Sequence, residues 1–138
     1  MSRDVLRVLL RRVPEMRPAV LRGYRRYRLV GRCYPAVVAR GPSDAVCGRL
    51  LCNLSSEEVE LLNAFEDSAY DRLFVPVWPT DEPRPVMVKA LAYVRPTDEE
   101  AELVSSWSLE AFEASGDYLP YLQACREFVF KYEEPKAP

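Results

Sequence analysis

No histidine occurs among the 138 residues, and that absence narrows the chemistry the chain can host. Serine–histidine and cysteine–histidine nucleophile pairs, and nearly all catalytic zinc sites, depend on an imidazole. Proton transfer near neutral pH is left to a carboxylate with a raised pKa, an activated cysteine, or one of three lysines, Lys89, Lys131 and Lys136. Among Cys33, Cys47, Cys52 and Cys125 no pair has the two-residue spacing of a zinc knuckle or redox motif. Each cysteine sits among apolar neighbours, which predicts reduced, buried thiols with no disulfide framework and no metal site. With 21 Asp and Glu in the chain, a carboxylate is the leading candidate by availability.

Such a carboxylate needs elements that hold it out of water. Val5, Leu6, Leu9, Leu10 and Val13 recur at three and four residues with arginines between them, which predicts an amphipathic helix from Ser2 to Val13 with Ser2 as its N-cap. Short runs rich in valine and tyrosine follow at Ala19 to Leu29, Cys33 to Arg40 and Ala45 to Cys52, punctuated by Gly23, Gly31, Gly41 and Pro42, and read as strands. Ser55 and Glu58 have the spacing of a capping box, so a helix is predicted from Ser56 to Glu66, with Leu54 stapled to Val59. Val59, Leu62 and Phe65 share one face of it, Glu57, Glu60 and Asn63 face elsewhere, and Glu66 ends it beside the apolar stripe.

Tyr70 to Trp78 and Val86 to Val94, joined by the proline-rich turn Pro79 to Pro85, predict a hairpin. Thr97 and Glu100 make a second capping box, Leu109 and Phe112 support a short helix ending near Gly116, and Leu119, Leu122, Cys125 and Val129 suggest a last helix. The order predicts an α+β fold, a small mixed-strand barrel or curved sheet with flanking helices.

At 138 residues, 49% hydrophobic and 29% charged, the chain has the balance of one soluble globular domain. No apolar run approaches the roughly 18 to 20 residues of a bilayer span, and no secretory signal is recognisable, so no membrane role is expected and the cytoplasm is the default location. The net charge of −2 hides an asymmetry: residues 1 to 49 carry twelve arginines against three acids, the remainder seven bases against eighteen acids. Arg25, Arg26 and Arg28 alternate with Tyr24, Tyr27 and Leu29 as on a half-buried strand, and the acidic remainder offers partners once folded. No nucleic-acid-binding signature accompanies the charge, so no nucleic-acid partner is expected.

Several segments, in order, resemble the gamma-glutamylcyclotransferase-like family and in particular its avirulence-induced-gene-like branch. They are Asp4-Val5-Leu6-Arg7-Val8-Leu9-Leu10, Leu21-Arg22-Gly23-Tyr24-Arg25-Arg26-Tyr27, Tyr34-Pro35-Ala36-Val37-Val38, Val46-Cys47-Gly48-Arg49-Leu50-Leu51 and Leu61-Leu62-Asn63-Ala64-Phe65-Glu66 with Tyr70, then Ala92-Tyr93-Val94. Together they cover residues 4 to 94. The resemblance implies a small barrel with a cavity and a cofactor-free cyclisation, in which the amine of a gamma-glutamyl group attacks its own gamma-carbonyl to give 5-oxoproline and a released amine or amino acid. It further implies Glu66 as the general acid/base, and Tyr70 and Tyr93 as cavity tyrosines that contact the substrate.

Members of that family carry a strand and a Tyr-Gly-Thr-Leu loop of backbone donors ahead of the helix matched by Asp4 to Leu10; the sequence opens at Met1 without them. The expectation is therefore one domain over residues 1 to 132 lacking that N-terminal strand, a flexible tail over 133 to 138, and a monomer or weak homodimer. A small-molecule gamma-glutamyl compound is the expected partner. A catalytically impaired relative that binds a small molecule or a protein is the alternative reading.

Overall fold

Ser2 caps the first helix as expected: its Oγ accepts from the Val5 amide at 3.1 Å, and helix α1 runs Arg3–Leu10. It stops short of Val13 because Arg11 turns left-handed at φ 59° and Pro14 lies just beyond. In the computed structural model, which describes residues 1–66, 70–96 and 103–135, α1 leads to β1 (Glu15–Arg22), β2 (Tyr24–Leu29), β3 (Pro35–Ala39) and β4 (Ala45–Cys52). Helix α2 (Ser56–Glu66), β5 (Asp71–Pro79), β6 (Val88–Val94), β7 (Leu103–Ser105), α3 (Leu109–Glu113) and α4 (Tyr118–Glu133) follow.

The run from Ala19 to Leu29, expected as one strand, is two strands in two different sheets. Gly23, at φ +83°, divides them, in a conformation that side-chain-bearing residues rarely adopt. Its N–H donates to Asp44 at 2.8 Å and its carbonyl accepts from Arg40 at 2.7 Å, which fixes the crossing. Before it, β1 joins a four-stranded sheet in the order β4-β1-β5-β6; after it, β2 joins a three-stranded sheet in the order β3-β2-β7. Every pairing among the described strands is antiparallel. The Arg95 amide, donating to the Val37 carbonyl at 2.9 Å, ties the end of β6 to β3. The result is the expected α+β architecture, a curled half-barrel with helices against it.

The capping box at α2 forms in both directions: Ser55 Oγ accepts from the Glu58 amide at 3.1 Å, and the Ser55 amide donates to Glu58 Oε1 at 3.0 Å. Arg12 adds a fork onto the same carboxylate, at 2.8 and 2.7 Å, holding Glu58 down at a pKa of about 2. Replacing Ser55 by Ala removes one half of this arrangement and is expected to cost about 1 kcal/mol of stability, read as a lowered urea midpoint with an unchanged slope. The opposite charges of the two parts of the sequence meet here and at Arg17, which binds Asp81 and Glu82, and at Arg11, which pairs with Glu133.

One core cluster is built from the helices, with Val5 and Leu9 of α1, Leu61 and Leu62 of α2, Phe112 of α3, and Tyr118, Leu122, Cys125 and Val129 of α4. A second, on the concave face of the larger sheet, is formed by Ala19, Val75 and Val77.

Several expectations need correction. Leu119 is 73% exposed; the buried stripe of α4 begins at Tyr118, one position earlier. Cys47 is exposed and Cys33 and Cys52 are half-buried, leaving Cys125 as the one buried thiol. Helix α3 is capped by Ser108, whose Oγ accepts from Ala111, and it ends at Glu113, before Gly116. The paired strand β7 was not foreseen, and the capping box at Thr97 and Glu100 falls outside the described residues. Helix α4 continues through Glu133, where the tail was expected to begin. Among the described residues no helix is long and apolar enough to cross a membrane.

Candidate active site

The half-barrel encloses a cavity of about 590 Å³ between the concave face of the larger sheet and α2. Ala19 and Leu21 of β1, Val46 and Leu50 of β4, Val75 and Val77 of β5, and Val88, Ala90 and Ala92 of β6 give it a hydrocarbon wall. Alternation along these strands produces that wall, since residues two apart share one face of a sheet. Into this lining the last residue of α2 brings a carboxylate, Glu66.

Burial disfavours the charged form of Glu66 and raises its pKa to about 6, the positive Met1 amine opposing the shift. The residue before it, Phe65, anchors the end of α2: its ring meets Tyr121 edge-on at 6.4 Å and Phe128 edge-on at 5.3 Å between centroids. The position of the carboxylate is therefore set by packing against α4 as well as by the helix that carries it.

Tyr93 of β6 lines the same cavity, and its hydroxyl donates to Asn63 Oδ1, one turn before Glu66 on α2. Burial and the charge of Glu66 raise its pKa. Tyr70 precedes β5; burial first, then the charge of Glu66, pushes its phenol up to about 12, while a hydrogen bond with Arg95 opposes the shift. Both phenols thus stay protonated across any working pH and add no charge near the carboxylate; the Tyr93 proton is given to Asn63, and Tyr70 does not line the cavity itself.

Sequence reasoning passed over three neighbours of this group, Asn63, Tyr121 and Arg95. Asn63 was expected to face away from the apolar stripe of α2, yet it is half-buried and holds Tyr93. Its spacing of three from Glu66 was the available signal. Tyr121 is raised in pKa by burial, with contributions from Cys125 and Glu66, and its ring lies 6.2 Å from that of Tyr34. The i, i+3 and i, i+4 relations of Tyr121 to Tyr118 and Cys125 place it beside the buried stripe of α4. Arg95, only 8% exposed, follows the last residue of β6 and had no sequence signal to distinguish it. Among the described residues no group of three or more Cys, Asp or Glu is placed to hold a metal ion.

A curled antiparallel sheet, one carboxylate raised by burial inside its apolar lumen and phenols around it define a class of small α+β half-barrels with an acid/base-capable pocket. Sequence comparison gives the relationship: a family model described as gamma-glutamyl cyclotransferase, AIG2-like, matches residues 1–119, and the chain belongs to that family. The chain is 34% identical to AIG2-like protein C of Arabidopsis thaliana over 134 residues, covering 97% of this chain and 76% of the relative. It is 31% identical to AIG2-like protein D of the same plant over 137 residues, covering 99% and 88%. A solution structure of an Arabidopsis thaliana protein superposes with a TM-score of 0.68 at 26% identity, covering 98% of this chain and 88% of that one. The folds therefore correspond over nearly the whole chain.

Proposed function

We propose that the protein is a gamma-glutamylcyclotransferase that needs no cofactor and converts a small gamma-glutamyl compound to 5-oxoproline and a free amine or amino acid. One observation carries the reading: Glu66 stands in an apolar cavity with its pKa raised to about 6, poised between proton acceptor and proton donor near neutral pH.

In the reaction the substrate's α-ammonium gives up a proton to the Glu66 carboxylate, and the freed nitrogen attacks the γ-carbonyl carbon. A new carbon–nitrogen bond forms, closing a five-membered ring, and the carbonyl electrons move onto oxygen. When they return, the original γ-carbon–nitrogen bond breaks. The two protons lost by the attacking nitrogen finish on the departing nitrogen, relayed by Glu66, and no water is consumed. The nucleophile and carbonyl belong to one molecule, so holding that molecule folded supplies much of the acceleration. Tyr70 would orient it through a neutral O–H donor, and Tyr93, whose proton goes to Asn63, through its oxygen as an acceptor. The four free thiols suit a reducing compartment such as the cytosol.

The test is 5-oxoproline formation from gamma-glutamyl dipeptides and amides, followed across pH. The carboxylate form of Glu66 must be present to accept a proton, so kcat/KM is expected to fall tenfold per unit as pH drops below about 6. A profile flat from pH 5 to 8 would remove Glu66 from the role. Saturable binding of these compounds without product would assign the cavity to binding alone.

A further inference from the structure

We infer that the convex face of the four-stranded sheet is a docking surface for a membrane containing anionic phospholipid, with cations meeting the headgroups and Phe74 entering the acyl boundary. The inference does not rest on the activity proposed above.

The pairing register defines this face. Val20 lies opposite both Cys47 and Trp78, Phe74 lies opposite Leu91, and Pro76 lies opposite Lys89. Alternation along the strands then puts Arg22, Arg49 and Arg72 with them, on the side of the sheet away from Ala19, Val75 and Val77. Each strand contributes one cation: Arg22 from β1, Arg49 from β4, Arg72 from β5 and Lys89 from β6. No strand position on this side carries an acid, because Glu15 and Asp71, the acids within these strands, fall on the opposite side. Arg11, Arg12 and Arg17 each pair with a carboxylate, whereas among the described residues these four cations have no carboxylate partner. All four are exposed, so the face is a field of one sign.

Apolar groups lie between the cations. Phe74 is 71% exposed, with Arg72 two residues before it and half-buried Leu91 directly across. The open area has limits, since Leu51 packs against the helical cluster and Tyr93 is held by Asn63. This composition selects the occupant. Single-stranded nucleic acid stacks on successive open rings, but Arg22 lies over the Trp78 ring at 4.4 Å, which leaves Phe74 as the one open platform on the face. An extended acidic peptide draws its affinity from a sheet edge, where backbone groups are free, and not from a sheet face. An anionic bilayer needs neither pocket nor edge: it meets dispersed cations together and takes up a projecting phenyl ring. The expectation of no membrane role came from the lack of a spanning segment, which such a contact does not require.

The experiment is co-sedimentation of the full chain with vesicles of phosphatidylcholine alone and of phosphatidylcholine with about one third phosphatidylserine, at about 0.1 M salt. Partition onto the mixed vesicles is expected to exceed that onto phosphatidylcholine at least about tenfold, and to fall as salt is raised. Arg72→Gln and Lys89→Gln are each expected to weaken it about fivefold, and Phe74→Ser about tenfold. These side chains are exposed, so each variant is expected to keep the parent Tm. Arg126→Gln, an exposed cation on α4, is expected to leave partition unchanged. Equal partition onto the two vesicles, no binding to either, or a loss in Arg126→Gln as large as in Arg72→Gln overturns the inference. Displacement from the mixed vesicles by single-stranded polyuridylate, with direct binding of it lost in the same variants, overturns it in favour of nucleic acid.

Discussion

Glu66→Gln is expected to lose 5-oxoproline formation by a factor of roughly 10² to 10⁴ and, at the same time, to make the protein more stable at pH 7.5. The first effect follows because Gln keeps the shape of the side chain but can neither accept nor return a proton. The second follows from linkage. Folding raises the Glu66 pKa from its ordinary 4.5 to about 6, so between those values the folded chain binds more protons than the unfolded one. The Glu66 contribution to stability is therefore greatest below pH 4.5, falls as pH rises through about 6, and is absent above it.

A shift of about 1.5 units corresponds to about 2 kcal/mol, which the neutral amide does not forfeit. For a chain of this size that is about 7 °C in Tm at pH 7.5, and close to nothing at pH 4, where the parent carboxyl is already neutral. Scanning calorimetry of both proteins at the two pH values reads it directly. Identical Tm differences at pH 4 and pH 7.5 would mean that Glu66 is not held in a dry environment.

Leu9→Ala is expected to be the most damaging single change to the fold. Leu9 is 1% exposed and sits in the cluster where α1 meets α2, α3 and α4. Deleting three buried carbons loses their transfer free energy and leaves a void, together about 3 to 5 kcal/mol. That is a large part of the stability of an ordinary domain. The expected readout is a Tm lowered by more than about 10 °C, with a matching fall in the denaturant midpoint. A loss below about 1 kcal/mol would show that the helices can close over the gap.

The sequence made the helices and the hairpin legible where a local pattern had a local cause. Helix α2 starts and ends where Ser55, Glu58 and Glu66 indicate, and β4 occupies the predicted Ala45–Cys52. Period and capping are written within a few residues, so they can be read without knowing the fold. The crossing at Gly23 could not be read this way. The residues on both sides favour strands, and only the competing sheets decide that β1 pairs with β4 and β5 while β2 pairs with β3 and β7. Strand β7, three residues long, owes its conformation to the edge it joins.

The candidate site divides in the same manner. Glu66, Tyr70 and Tyr93 came from an extended resemblance, since periodicity alone leaves a glutamate at a helix end as an ordinary solvated charge. Asn63, Tyr121, Tyr34 and Arg95 reach the group around Glu66 from α2, α4, the β2–β3 connection and the end of β6. Their convergence depends on tertiary packing, which no short window of sequence encodes.

The separation of two apolar clusters has a bearing on descent. Folding free energy is concentrated where the helices pack, while half-buried lumen residues such as Leu21, Val88, Ala90 and Ala92 contribute less to it. Changes in the lumen can accumulate without unfolding the protein. Duplicated copies of such a chain are accordingly free to diverge in what they accept while keeping one scaffold.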